Sequence, residues 1–108
     1  NDVTHGFVRP PDGKITTFDV ERAGTAPGQG TFVATVNVFG AITGWYVDAD
    51  NLNHAFVRAP NGKVTTFDAE GAGRDSGQGT FGGANNDLGE VTGSYVDASG
   101  VSHGFLRQ

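Results

Sequence analysis

Histidine is the side chain best suited to proton or metal chemistry near neutral pH. This chain carries three, His5, His54 and His103, at a constant spacing of 49 residues. Two tyrosines keep step, with Tyr46 eight residues before His54 and Tyr95 eight before His103. In a bulged hairpin each tyrosine lies across from its histidine. Two kinds of chemistry are open to such a set. A ring of imidazoles could coordinate a metal when repeats assemble. More simply, a Tyr–His pair could hold a hairpin together. Equivalent positions in a ring of repeats lie far apart unless they face the axis, so the cross-strand pair is the favoured reading.

The carboxylates give weaker signals. Asp48, Asp50, Asn51 and Asn53 offer oxygen ligands of the kind calcium takes. However, Leu52 falls where a third ligand is needed and no bidentate Glu follows. The second copy, Asp97-Ala98-Ser99-Gly100, keeps only the first Asp, so a turn is expected. Gly28-Gln29-Gly30 and Gly77-Gln78-Gly79 look like phosphate-cradling loops, but no helix follows them and no Lys stands at the required spacing. Asp19 with Glu21, and Asp68 with Glu70, pair carboxylates as glycoside hydrolases do. Their appearance once per repeat reads instead as a solvated strand edge. There is no Cys, and no Ser sits in a nucleophile elbow. Trp45, the single Trp, has Ser94 at its place in the second copy. Exposed beside a tyrosine it would stack on a sugar ring; buried, it is core or interface, which is the favoured reading. No catalytic, cofactor or metal site is assigned. The candidate ligand or interface residues are Trp45, Tyr46, His54, Tyr95 and His103.

The elements that must position these residues are set by an internal duplication. His5-Gly6-Phe7-Val8-Arg9 recurs as His54-Ala55-Phe56-Val57-Arg58 and as His103-Gly104-Phe105-Leu106-Arg107. Residues 5–53 and 54–102 share 27 identities in 49 aligned positions, with no insertion. The expected organisation is one repeat domain over 1–108: two units, 5–53 and 54–102, and a third copy of the first strand at 103–108. Each unit divides into four β-rich runs bounded by turn residues. Strand A covers 4–9, 53–58 and 102–107; strand B, 14–20 and 63–69; strand C, 30–37 and 79–86; strand D, 41–48 and 90–97. The A–B, C–D and D–A connections open on Asn, Asp or Pro and mostly close on Gly, which suits a type I turn followed by a left-handed residue. The B–C connections, 21–29 and 70–78, are long and glycine-rich. The compact unit is therefore a four-stranded antiparallel meander in the order C-D-A-B. Such meanders repeating every 40–50 residues or so are typical of β-propeller blades. A small β-sandwich or a β-solenoid remains the alternative. Small residues in Gly82-Gly83-Ala84 suit a crowded innermost strand C. The more apolar first C–D hairpin, with Val33-Ala34-Thr35-Val36 and Trp45, is expected to be the buried one.

These motifs resemble the HAF-type extracellular repeat family. The set comprises the His-Gly-Phe-Val/Leu-Arg run, Thr-Thr-Phe-Asp at 16–19 and 65–68, Gly-Gln-Gly-Thr-Phe at 28–32 and 77–81, and Thr-Gly-x-Tyr-Val-Asp at 43–48 and 92–97. The resemblance covers nearly the whole chain. It implies a bacterial secreted or cell-surface setting and a propeller-like fold, and supplies no mechanism. The net charge of −5 and the scattered Lys and Arg argue against nucleic-acid or anionic-membrane partners. No apolar run approaches the roughly 20 residues that cross a bilayer. The opening Asn1-Asp2-Val3-Thr4 is mid-repeat, which suggests a processed chain or an excerpt. Two meanders do not close a ring of about 4–8 blades, and open edges invite pairing. A homo-oligomer is therefore expected. The expected function is a non-catalytic extracellular scaffold mediating self-association or protein contact. The alternative is a glycan-binding, lectin-like module.

Overall fold

The turns hold themselves in shape through their own side chains. In the computed structural model, which describes residues 2–108, Asn37 Oδ1 accepts from the N–H groups of Phe39 and Ala41. Asp48 Oδ1 accepts from Asp50 and Leu52. Asn86 and Asp97 do the same in the second unit. Each of these turns ends on a residue at positive φ: Gly40, Asn51, Gly89 and Gly100. Asn51, at φ 63°, is the one without glycine. It repays the strain through its side chain, whose Oδ1 accepts from Gln29 Nε2 at 3.0 Å. Asn1, the first residue of the mid-repeat opening, lies outside the described residues.

Among the described residues nine strands result: β1 (Gly6–Val8), β2 (Thr16–Phe18), β3 (Gly30–Val36), β4 (Ile42–Val47), β5 (Asn53–Arg58), β6 (Val64–Phe67), β7 (Gly79–Asn85), β8 (Val91–Val96) and β9 (Ser102–Arg107). Strand position A thus supplies β1, β5 and β9; B, β2 and β6; C, β3 and β7; D, β4 and β8. The described residues are all-β. Antiparallel pairing runs β3-β4-β5-β6 and then β7-β8-β9, while β1 and β2 form a separate hairpin. The meander order read from the sequence is the order found. Register repeats with the sequence: Tyr46 faces His54 and Tyr95 faces His103. Each C strand carries a bulge at the same place, between Val33 and Thr35 and between Gly82 and Ala84. Strands A and B of the first unit are shorter than expected, Gly6–Val8 and Thr16–Phe18. Among the described residues β1 pairs with β2 alone, so the pairing that lengthens β5 on both edges acts on one edge of β1.

Units are joined by a short parallel contact at the start of strand C. Thr4 bridges Gly30, and Asn53 pairs with Gly79. Both glycines sit at positive φ, 121° and 115°. A Cβ on either would run into the carbonyl of Thr4 or Asn53, so only glycine permits the approach. The B–C loops close on the neighbouring Gln and Thr. Thr31 Oγ1 accepts from Val20 N–H, and Thr80 Oγ1 from Ala69 N–H. Gln29 Oε1 accepts from Ala26 N–H. This explains why Gly-Gln-Gly-Thr recurs: it is a loop staple.

The core lies between the β1–β2 hairpin with its following loop and the β3–β6 meander. Val20, Ile42, Tyr46 and Phe56 are buried, with Val8, Phe18, Ala23 and Val64 packed around them. Phe18 meets Phe56 edge-on at 6.2 Å, and the Arg58 guanidinium lies 4.9 Å over the Phe18 ring. One repeat later, Phe67 meets Phe105 at 5.9 Å and Arg107 lies 4.6 Å over Phe67. β7 packs on the face of β3 and β4, where the rings of Trp45 and Phe81 meet at 5.6 Å. This is face-to-face layering, compatible with the small-sandwich alternative. The strand path stays open among the described residues, within a body of 45 × 35 × 17 Å. The apolar first C–D hairpin is only partly buried. β4 is central, but Val33 and Val36 of β3 are exposed. Their counterparts Gly82 and Asn85 lie at the junction with β4, whereas among the described residues no D strand covers β3.

Candidate functional site

Three elements converge on His54. The second residue of β5 carries the imidazole, the turn after β4 carries Asp48, and the end of β6 runs into Asp68. His54 Nδ1 lies 2.7 Å from Asp68 Oδ1, and Nε2 lies 2.8 Å from Asp48 Oδ2. A carboxylate only accepts hydrogen bonds, so both ring nitrogens must donate and the bound form is the imidazolium. Tyr46, opposite on β4, lays its ring against the imidazole at 4.8 Å and 26°. Only 17% of the His54 side chain is exposed, against 56% for Asp68.

The electrostatics follow from this geometry. Burial alone would lower the pKa of His54, but hydrogen bonds to Asp48 and Asp68, with the charges of both, raise it above 6.5. Burial would raise that of Asp48. Hydrogen bonds from His54 and from the N–H groups of Leu52 and Asp50 outweigh it and hold the carboxyl below 3.8. Burial, then the charge of Asp68, pushes the Tyr46 phenol above 10.0.

The unit recurs in part at the other histidines. His5 Nδ1 meets Asp19 at 2.7 Å, and His103 Nε2 meets Asp97 at 2.8 Å with Tyr95 stacked at 4.9 Å. The His103 bond holds the Asp97 carboxyl below 3.8. Each histidine is thus bonded within its own hairpin or meander: His5 in β1–β2, His54 in β3–β6 and His103 in β7–β9. Among the described residues, no group of three or more His, Cys, Asp or Glu is arranged to hold a metal ion. The structure brings Tyr46 to His54 and Tyr95 to His103, and leaves Trp45 apart from both pairs. Adjacent residues of a strand point to opposite faces, so Trp45 turns away from Tyr46. It stacks on Phe32 at 5.3 Å and meets Phe81 edge-on. Tyr46 is buried in the core, and Tyr95 is half-buried.

Sequence reasoning missed the aspartates as histidine partners. The signal was present: Asp stands 14 residues after His5 and His54, and six before His54 and His103. Beside the clamp lies a depression of about 500 Å³ lined by Asn53, His54, Asp68, Glu70 and Arg74. A groove of about 390 Å³ lies between β1 and β3, lined by His5, Phe7, Phe32, Val33 and Trp45. Protein-family models, curated proteins and solved structures give no match to this chain.

Proposed function

We propose that the chain is a non-catalytic repeat scaffold of the cell surface or extracellular space. Its units stack in the manner of propeller blades and associate with further like units or with protein. One observation carries this reading: the junction between units is made twice with the same chemistry. Phe18, Phe56 and Arg58 form it first, then Phe67, Phe105 and Arg107. Residues kept in both copies are thereby spent on joining neighbours. The His–Asp bonds brace each meander from within, since they tie strand A to the end of strand B and to the D–A turn. The resemblance to the HAF-type repeats supports the surface setting.

The test is molar mass by light scattering on a sizing column, with a glycan array run on the same sample. A discrete multiple of the 11.2 kDa chain, with no sugar bound, is the expected result. A monomer at every concentration overturns self-association. Binding of a defined sugar at millimolar concentration replaces the scaffold reading with the glycan-binding one.

A further inference from the structure

We infer that the depression between the start of β5 and the loop from β6 to β7 is a binding site for a small zwitterion. Its ligand carries an ammonium group with a carboxylate close by, as an α-amino acid or a short peptide does. The site goes beyond the scaffold reading and does not depend on how copies associate. It is built within residues 52–79, and its volume of about 500 Å³ is enough for such a ligand. The second unit differs from the first along this wall. Ala69 and Gly71 stand where the first unit has the larger Val20 and Arg22. Both turns close alike, with Ala23 N–H donating to the Val20 carbonyl and Ala72 N–H to that of Ala69. Gly71, however, sits at φ 94° and Arg22 does not reach positive φ. The second turn is therefore of type II, with its central peptide turned over.

Three acceptors line the depression. Asn53 is 6% exposed. Its backbone N–H and its Nδ2 both donate to the Gln78 carbonyl, at 2.9 and 3.0 Å. This fixes the amide with Oδ1 turned away, and Oδ1 meets no donor among the described residues. The unpartnered polar atoms sealed from solvent there are Thr43 Oγ1 and Asn85 Oδ1. Asn53 Oδ1 is thus open, and the depression is what it opens onto. Asp68 uses Oδ1 for His54, which leaves Oδ2 without a partner among the described residues. Every ion pair among those residues involves histidine, so Glu70 and Arg74 are in none. An ammonium has three donors and no acceptor, which matches one buried amide oxygen and two carboxylates. Arg74 supplies a planar fork for the carboxylate of the same ligand. Other ligands match less well. Among the described residues no Trp, Tyr or Phe lines the depression for a sugar ring to stack on. Asp68 and Glu70 repel a phosphate. His54 donates from both ring nitrogens and has no lone pair for a metal.

The experiment titrates the full-length, isotopically labelled chain with alanine, alanyl-alanine, ethylammonium, propionate and glucose. It follows the Asn53 side-chain amide, the Arg74 guanidinium and the backbone amides of 68–74. Saturable shifts there are expected at millimolar alanine or alanyl-alanine, and the tighter of the two names the source, free amino acid or peptide. Ethylammonium, which offers Arg74 nothing, is expected to bind about tenfold more weakly than the tighter zwitterion. Glu70→Gln and Arg74→Gln change exposed side chains and are each expected to weaken that zwitterion about tenfold, with unchanged circular dichroism. Arg74→Gln is also expected to level it with ethylammonium. No shift in 68–74 from either zwitterion, equal binding of propionate or glucose, or full affinity in both variants would each overturn the site. A monomeric mass beside a positive titration removes self-association and keeps the site; a multimeric mass beside a failed one does the reverse.

Discussion

His54 is held as an imidazolium between two carboxylates, and this gives the clamp a pH window. Its raised pKa means that its contribution to stability is full below 6.5, its ordinary value, and is lost as pH rises through the folded value. The depressed pKa of Asp48 means that its contribution is full above 3.8 and is lost as pH falls through the folded value. Thermal melts across pH are therefore expected to show highest stability between about 3.8 and 6.5. His54→Gln is expected to abolish the fall on the alkaline side. The same residue scale separates two phenylalanines that the sequence treats alike. Phe56→Ala removes a fully buried ring and should cost about 3–5 kcal/mol in urea unfolding. Phe7→Ala trims an exposed one and should cost less than about 0.5 kcal/mol. Equal losses would mean that Phe7 is buried in solution. The Tyr–His pairing was legible from spacing, because a hairpin of known turn type sets which residues face each other. The carboxylate partners were not read, because a strand-end Asp looks the same whether it faces water or an imidazole 14 residues away.

At the scale of strands, the two C strands differ where their sequences do. Gly82 on β7 lets that strand settle against β4, since any Cβ there would strike the Gly44 carbonyl. Gly82→Val, which copies the first unit, is expected to destabilise by roughly 1–3 kcal/mol through overpacking. The reciprocal Val33→Gly, on the exposed face of β3, is expected to cost only about 0.5–1 kcal/mol through backbone entropy. Comparing the two chemical melts measures the asymmetry directly. The strand order and most boundaries were readable, because Asx or Pro openings and mostly glycine closings mark the hairpins. The exposure of Val33 and Val36 was not. An apolar run names a candidate core strand, but a neighbour must supply the other wall.

At the scale of the molecule, the core belongs to junctions rather than to units. Val8 and Phe18 come from the first hairpin, with Val20 and Ala23 from the chain that follows it; Ile42, Tyr46, Phe56 and Val64 come from the next meander. Stability should therefore be shared along the chain. Arg58→Ala, which removes the cation over Phe18, is expected to cost about 0.5–1 kcal/mol and to leave far-ultraviolet dichroism unchanged. A multiphasic melt in that variant would mean that the junctions are independent. By itself the sequence determined the repeat, the all-β character, the hairpins and the facing Tyr–His pairs. All of these rest on local geometry and on period-two alternation. Only the tertiary structure decided which of three like histidines gains two carboxylates, which of three like phenylalanines is sealed from water, and which strand edge is left open. Those differences arise from what lies next to each unit, and identical residues carry no record of their neighbours.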